Sequence, residues 1–314
     1  MNMGIEQFVW HKLGRPEVKT VGEVISTLGE VPDWIEVVDD VDTVPPEGET
    51  TKDRPKLCIR GACDMMMMTH YLRAKFDVIE EFQFPYENWG IHPVARRIAL
   101  AGAADLLAVQ ALLKKMPGIP PNYLESAVVT GAADVYLFSP ASEFFPATYR
   151  SRSTGLIFPL TYTGLPQPDF AKVSYSELVG YAKGKPLVTK EQWAFLRNEF
   201  EFLGWMQTSL MSVDIANMFE RLRGKKCLVF LLNTNVGSNK VMLTRFAKIN
   251  SIVKPLAEAY GCEIVDLRDF VCSTEDLVHP DHPGTHFKRE VYMRLAEHIM
   301  ALVNPRTVPL AAVA

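Results

Sequence analysis

Two short stretches of this chain combine nucleophilic, basic and conformationally permissive residues in patterns suited to acyl chemistry. The first is Gly61-Ala62-Cys63-Asp64, between the apolar run Lys56-Leu-Cys-Ile-Arg60 and the helix-forming MMMMTHYLRAKF. A thiol at such a junction sits at a helix N-terminus, where unsatisfied N–H groups and the positive helix end favour a thiolate and can hold an oxyanion. Gly61 permits the tight turn and the close approach of a substrate carbonyl. The second stretch is His279-Pro-Asp-His-Pro-Gly-Thr-His286, where three of the chain's seven histidines fall within eight residues. His286, on a loop beside a sheet edge, is a candidate general base, and Asp281 a candidate carboxylate to orient it. The same residues also fit other readings: Cys63 as a structural cysteine, and the histidine loop as a metal site or a solvated turn. No second ligand cluster accompanies the histidines, so the expectation is that no metal is held.

The elements needed to position these residues are legible as an alternation of strands and helices. Lys56–Arg60 reads as a short buried strand, Asp64 onward as a helix, Asp77–Phe84 as a strand and Pro93–Met116 as a helix with proline in its first turn. Asp134–Ser139 is a third strand, and Thr189–Arg223 a long helical region that Thr189 could cap. Lys226–Leu232, Leu243–Tyr260, Glu263–Leu267 and Lys288–Val303 complete the pattern as strand, helix, strand and helix, with Val291, Leu295 and Ile299 on one face of the last. Five strands alternating with helices predict a three-layer α/β/α fold around a central, mostly parallel sheet, with ligands beyond the carboxyl ends of the strands. Tyr149–Leu165 interrupts the alternation as an inserted hairpin or lid, within an insertion near residues 145–190. The predicted organisation is an N-terminal extension and linker over 1–55, a catalytic domain over 56–303 and a tail over 304–314.

Composition bounds the functional classes. The chain has 314 residues, 48% of them hydrophobic, enough for a large core. Asp and Glu (37) outnumber Lys and Arg (33) with no long basic run, which argues against a nucleic-acid partner. The most apolar stretch, Ile98–Met116, is broken by Asp105, Lys114 and Lys115, and the charged N-terminus lacks a signal-peptide core, so the expectation is a cytoplasmic protein with no membrane span. Five widely spaced cysteines without a C-x-x-C pair indicate no disulfide framework. Met65–Met68 reads as core lining at a helix start, His70 as a surface histidine, and Asp266, Arg268 and Asp269 as structural ion pairs. No phosphate-binding glycine motif follows a strand, so nucleotide chemistry has no support.

Taken together, strand-Gly61-Ala62-Cys63-Asp64 and His286 before the terminal helix resemble the SGNH (GDSL-like) hydrolase and acyltransferase superfamily. In that superfamily a Gly-Asp-Ser type nucleophile motif follows the first strand and the catalytic histidine precedes the last helix. The resemblance spans about residues 56–303 and implies an SGNH or flavodoxin-like sheet with Cys63 in the serine position. A cysteine there is most similar to the capsule-polysaccharide acetyltransferases with a Gly-Asn-Cys motif, which bind coenzyme A. The resemblance therefore implies transfer of an acyl group, from acyl-CoA or an acyl-carrier thioester acting as co-substrate, to a hydroxyl or amine of a carbohydrate or other small molecule; no tightly bound cofactor is expected. Gly90, with Asn88 before it, and Ser139 in FSPASEF stand where the superfamily's oxyanion glycine and asparagine blocks would lie, while Tyr149 and Arg150 would cover the site or contact a carrier phosphate. The sequence departs from the pattern in lacking Asp-x-x-His, since Pro283 stands three before His286, which leaves Asp281 as the substitute. An esterase or thioesterase using the same residues, and a non-catalytic binding module of the same fold, remain as alternatives.

Overall fold

The fold was established from a computed structural model that describes residues 54–303 apart from 83, 87–88, 92–93, 144–145, 161–166, 183–187 and 282–285; of Cys63, 84–86 and 89–91 the backbone alone is described. The expectations for residues 1–53 and for the tail lie outside the described residues.

Five parallel strands form the central sheet: β1 (Lys56–Arg60), β2 (Asp77–Glu81), β5 (Val135–Phe138), β9 (Lys226–Leu231) and β10 (Glu263–Asp266), in the order β10-β9-β5-β1-β2. The strand order reverses at β1, which has β2 on one side and β5 on the other, so the crevice beyond the ends of β1 and β5 is the sheet's topological switch point. β1, β5 and β9 are buried almost without alternation, as strands covered on both faces must be, whereas the edge strands β2 and β10 are half-buried. Helix α1 (Cys63–Leu72) packs against the last helix, α9 (Arg289–Val303). Helix α7 (Thr208–Arg221) packs against both α2 (Ala95–Ala101) and α8 (Lys240–Ala259). This is the expected three-layer α/β/α arrangement, and the core of α9 is the predicted face, with Val291, Leu295 and Ile299 fully buried.

The helix predicted over Pro93–Met116 is two helices. α2 ends at Gly102, and α3 (Leu106–Leu113) starts afresh where the Asp105 carboxylate accepts from the Ala108 N–H at 2.9 Å. A short helix, α4 (Ala127–Thr130), precedes β5 and is capped by Ser126. The strand predicted over Asp77–Phe84 stops at Glu81, and Phe84–Tyr86 forms β3 of a separate antiparallel pair with β4 (Trp89–Ile91).

The largest correction falls on Thr189–Arg223, predicted as one helix. Thr189 does cap, within a reciprocal capping box with Gln192, but helix α6 (Lys190–Glu199) ends after ten residues. Phe200–Trp205 is a strand, β8, before α7 begins. β8 joins the predicted hairpin, β6 (Ala147–Ser151) and β7 (Ile157–Leu160), in an antiparallel sheet ordered β7-β6-β8. The inserted segment thus forms a sheet completed by residues beyond 190. Its own core is aromatic: Tyr149 stacks on Phe170 with ring centroids 4.4 Å apart, and Phe158, Phe200 and Trp193 enclose them alongside α5 (Tyr175–Tyr181).

Candidate functional site

Cys63 is the first residue of α1 and is separated from the end of β1 by two residues, which brings its backbone to the carboxyl edge of the sheet at the switch point. Ala62, the N-cap, contributes no side-chain cap, and its carbonyl accepts from the Met65 N–H at 3.1 Å. The fixing groups are instead Asp64 and Ser139, both fully buried. Asp64 accepts from the Ala62 N–H at 3.0 Å and from the Ser139 hydroxyl, while the Ser139 N–H donates to the Arg60 carbonyl at 2.8 Å. The end of β5 is thereby tied to the end of β1 and to the first turn of α1. Burial outweighs these hydrogen bonds and pushes the Asp64 carboxyl up to about 6.

Gly61 sits in the same cluster. A Cβ there would stand 2.4 Å from the Met65 sulfur and 3.2 Å from the Ser139 Cβ, so the absence of a side chain is what lets the strand end approach the helix. Met65 and Met68 line the core as expected; Met66 and Met67 are exposed, because four successive helical residues point in different directions. His70 is exposed and meets the Tyr71 ring edge-on.

His286 is half-buried, and its ring packs edge-on to His279 with centroids 5.6 Å apart. Its peptide is held from several sides. The carbonyl accepts from the Val278 N–H at 3.0 Å, Leu277 and Phe287 form an antiparallel bridge, and the Lys288 N–H donates to Asp276 at 2.8 Å. Asp276 in turn accepts from the backbone N–H groups of Cys272 and Ser273 at 2.8 and 2.9 Å. The Ser238 N–H, in the loop leaving β9, donates to the Pro280 carbonyl at 2.7 Å, which docks the histidine loop on the carboxyl edge of the sheet. Cys63 and His286 therefore belong to the same edge of the fold, on or next to two helices that pack together. Asp281 is exposed; His282 and Pro283 lie outside the described residues. Among the described residues no group of three or more His, Cys, Asp or Glu is placed to hold a metal ion.

Gly90, Tyr149 and Arg150 belong to the two antiparallel sheets. Gly90 pairs with Pro85 in the β3–β4 hairpin, and Asn88 is outside the described residues. Tyr149 is buried in the aromatic core, its hydroxyl donating to the Pro168 carbonyl, rather than standing at the sheet edge. Arg150 is half exposed and faces Glu201 at 3.7 Å. With Thr148, Leu203, Gln207 and Leu210 it lines an open groove of about 430 Å³ at the N-terminal end of α7. Because α7 leads into a parallel strand, that end lies toward the carboxyl edge of the sheet.

Beside the Cys63 turn lies a buried ionic network that sequence reasoning missed. Arg60, the last residue of β1, pairs with Glu81 and donates to the Val94 carbonyl at 3.1 Å. Glu81 also accepts from Ser126 at 2.9 Å and from the Ala127 N–H. Glu143 accepts from the Ala95 N–H at 2.9 Å, and Asp214 pairs with Arg96 at 2.7 Å. Burial pushes Glu143 up to about 8 and Asp214 to about 6, the latter against the pull of Arg96. The signals in the sequence were an arginine directly after the apolar Leu57-Cys58-Ile59 and a glutamate four residues after Ser139. Asp266 and Arg268 form the expected ion pair.

The sequence matches no protein-family model and no curated protein. The fold and the site define a three-layer α/β/α protein with a parallel five-stranded sheet and a cysteine-bearing turn at its switch point. No helix among the described residues is long and apolar enough to cross a membrane.

Proposed function

We propose that this chain is an acyltransferase of SGNH-like fold that carries its acyl group on Cys63. The observation that carries the reading is the placement of Cys63 as the first residue of the helix opening off β1 of the central sheet, at the switch point of its parallel strands. The rigid Asp64–Ser139–Ala62 hydrogen bonding behind it supports a precisely held nucleophile turn. The docking of the histidine loop on the same sheet edge supports His286 as its base.

In this reading His286 takes the thiol proton, and the Cys63 thiolate adds to the carbonyl carbon of a thioester, coenzyme A or a carrier arm. The oxyanion accepts a hydrogen bond from the Cys63 N–H at the start of α1. Collapse expels the carrier thiolate, which receives the proton from His286 and leaves a thioester on Cys63. His286 then deprotonates the hydroxyl or amine of the acceptor, which attacks this thioester; collapse expels the Cys63 thiolate, which takes the proton back from His286, and leaves the acyl group on the acceptor's oxygen or nitrogen. Ser139, committed to Asp64, acts as a positioning residue. The groove beside Arg150 is the surface for the acceptor or carrier arm.

The test is incubation with acetyl-CoA and longer acyl-CoAs, read by intact-mass spectrometry. The expected result is one acyl adduct on Cys63 that persists without acceptor and is absent from Cys63→Ala. Thioester turnover to free acid without an acceptor would make the protein a thioesterase using the same residues. Absence of both adduct and turnover across the series would contradict acyl transfer and leave a binding module of this fold.

A further inference from the structure

The opposite, amino-terminal edge of the sheet carries a second thiol arrangement that the acyl-transfer reading does not use. Glu263 of β10 is in register with Leu228 of β9, so Cys262 stands across from Cys227, one residue back on each strand. In paired parallel strands such positions are about 4.8 Å apart and their side chains leave the same face, within the span a disulfide bridges. The two thiols lie close enough that each shifts the other's hold on its proton. Cys262 is held in place by the end of α8: Gly261 takes the left-handed conformation (φ 69°), the Gly261 N–H donates to Glu258 at 3.1 Å and the Cys262 N–H to Ala257 at 2.8 Å. Cys58 is in the same row, but Tyr136 of β5 stands between it and Cys227, which puts Cys58 two strand spacings away and out of disulfide reach.

We propose that Cys227 and Cys262 form an oxidisable dithiol, a site at which a small disulfide such as glutathione disulfide closes a protein disulfide between β9 and β10. The two cysteines are unequal in the way such a reaction requires. Cys262 is half-exposed and its thiol is shifted toward the thiolate by its interaction with Cys227; Cys227 is buried, and its thiol is held protonated by the same interaction and by burial. The Cys262 thiolate attacks one sulfur of glutathione disulfide, forming a mixed disulfide and releasing one glutathione thiolate. Cys227, giving up its proton, then attacks the Cys262 sulfur and expels the second glutathione. Two protein thiols are oxidised by two electrons and one glutathione disulfide is reduced to two glutathiones. The product links strands across a loop that contains α8.

The test equilibrates the full-length protein in glutathione buffers of increasing disulfide fraction, quenches with acid, blocks free thiols with N-ethylmaleimide in denaturant and maps the peptides by mass spectrometry. The expected result is a Cys227–Cys262 cross-linked peptide, lighter by two hydrogens than its reduced parts, that forms equally in Cys272→Ser and Cys63→Ala and is lost in Cys262→Ser. A rise in Tm of about 5 °C should accompany it. Full maleimide labelling of both cysteines at every ratio, a stable glutathione on Cys262 with Cys227 reduced, or a cross-link from Cys262 to any other cysteine would overturn the proposal.

Discussion

Gly61 is where one added methyl group tells most about the turn that carries Cys63. A Cβ would collide with the buried Met65 side chain and crowd the Ser139 Cβ, so both would have to shift within the core. Gly61→Ala is expected to cost about 1–3 kcal/mol in urea unfolding. Ser139→Ala leaves the buried Asp64 short of a donor and should cost a similar amount, about 1–3 kcal/mol, while Asp64→Asn with Ser139 intact should be milder. At this scale the sequence was partly readable. Gly61 and Cys63 stood out because a glycine and a thiol between strand and helix have local consequences. Ser139 drew attention only through the resemblance, and its partner Asp64, 75 positions away, could not be seen without the pairing of β1 with β5.

Among the elements, the parallel sheet and the last helix followed from local pattern. β1, β5, β9 and β10 are short apolar runs, and α9 shows an unbroken helical stripe. β8 did not follow, because its sequence FEFLGW continues a stretch of good helix formers and its strand state is fixed by pairing with β6 some 50 residues earlier. Gly204, at φ 103°, lies opposite the irregularity between Thr148 and Tyr149 and is the one local mark of the change. Thr189→Ala, which removes the capping box of α6, is expected to cost about 1 kcal/mol in thermal or urea unfolding. Leu295→Ala opens a cavity in the face of α9 that meets the core and should cost about 2–5 kcal/mol. Because α9 packs on α1, the same variant should slow acyl loading of Cys63, whereas Thr189→Ala should leave it unchanged.

For the molecule as a whole, the buried acids set a pH dependence. Glu143 rises from 4.5 to about 8, and Asp64 and Asp214 from 3.8 to about 6, so each holds its proton more tightly folded than unfolded. Their contribution to stability is complete below the unfolded values and is lost as pH rises through about 6 for the aspartates and about 8 for Glu143. Stability should therefore fall between about pH 4 and pH 8, by up to about 1.4 kcal/mol per pH unit for each proton released. Glu143→Gln, an isostere of the protonated acid, should remove the upper part of that fall in denaturant titrations at each pH. Composition gave no sign of this network, since the charges that form it are few and dispersed along the chain.

The central claim is that Cys63 is an activated thiol served by His286, and the rate of its alkylation tests that most directly. Iodoacetamide labelling near neutral pH, resolved by peptide, should modify Cys63 faster than the exposed Cys272, and His286→Ala should bring Cys63 down to the Cys272 rate without altering the latter. Labelling of Cys63 no faster than Cys272, or unchanged by His286→Ala, would contradict the assignment of a cysteine–histidine nucleophile.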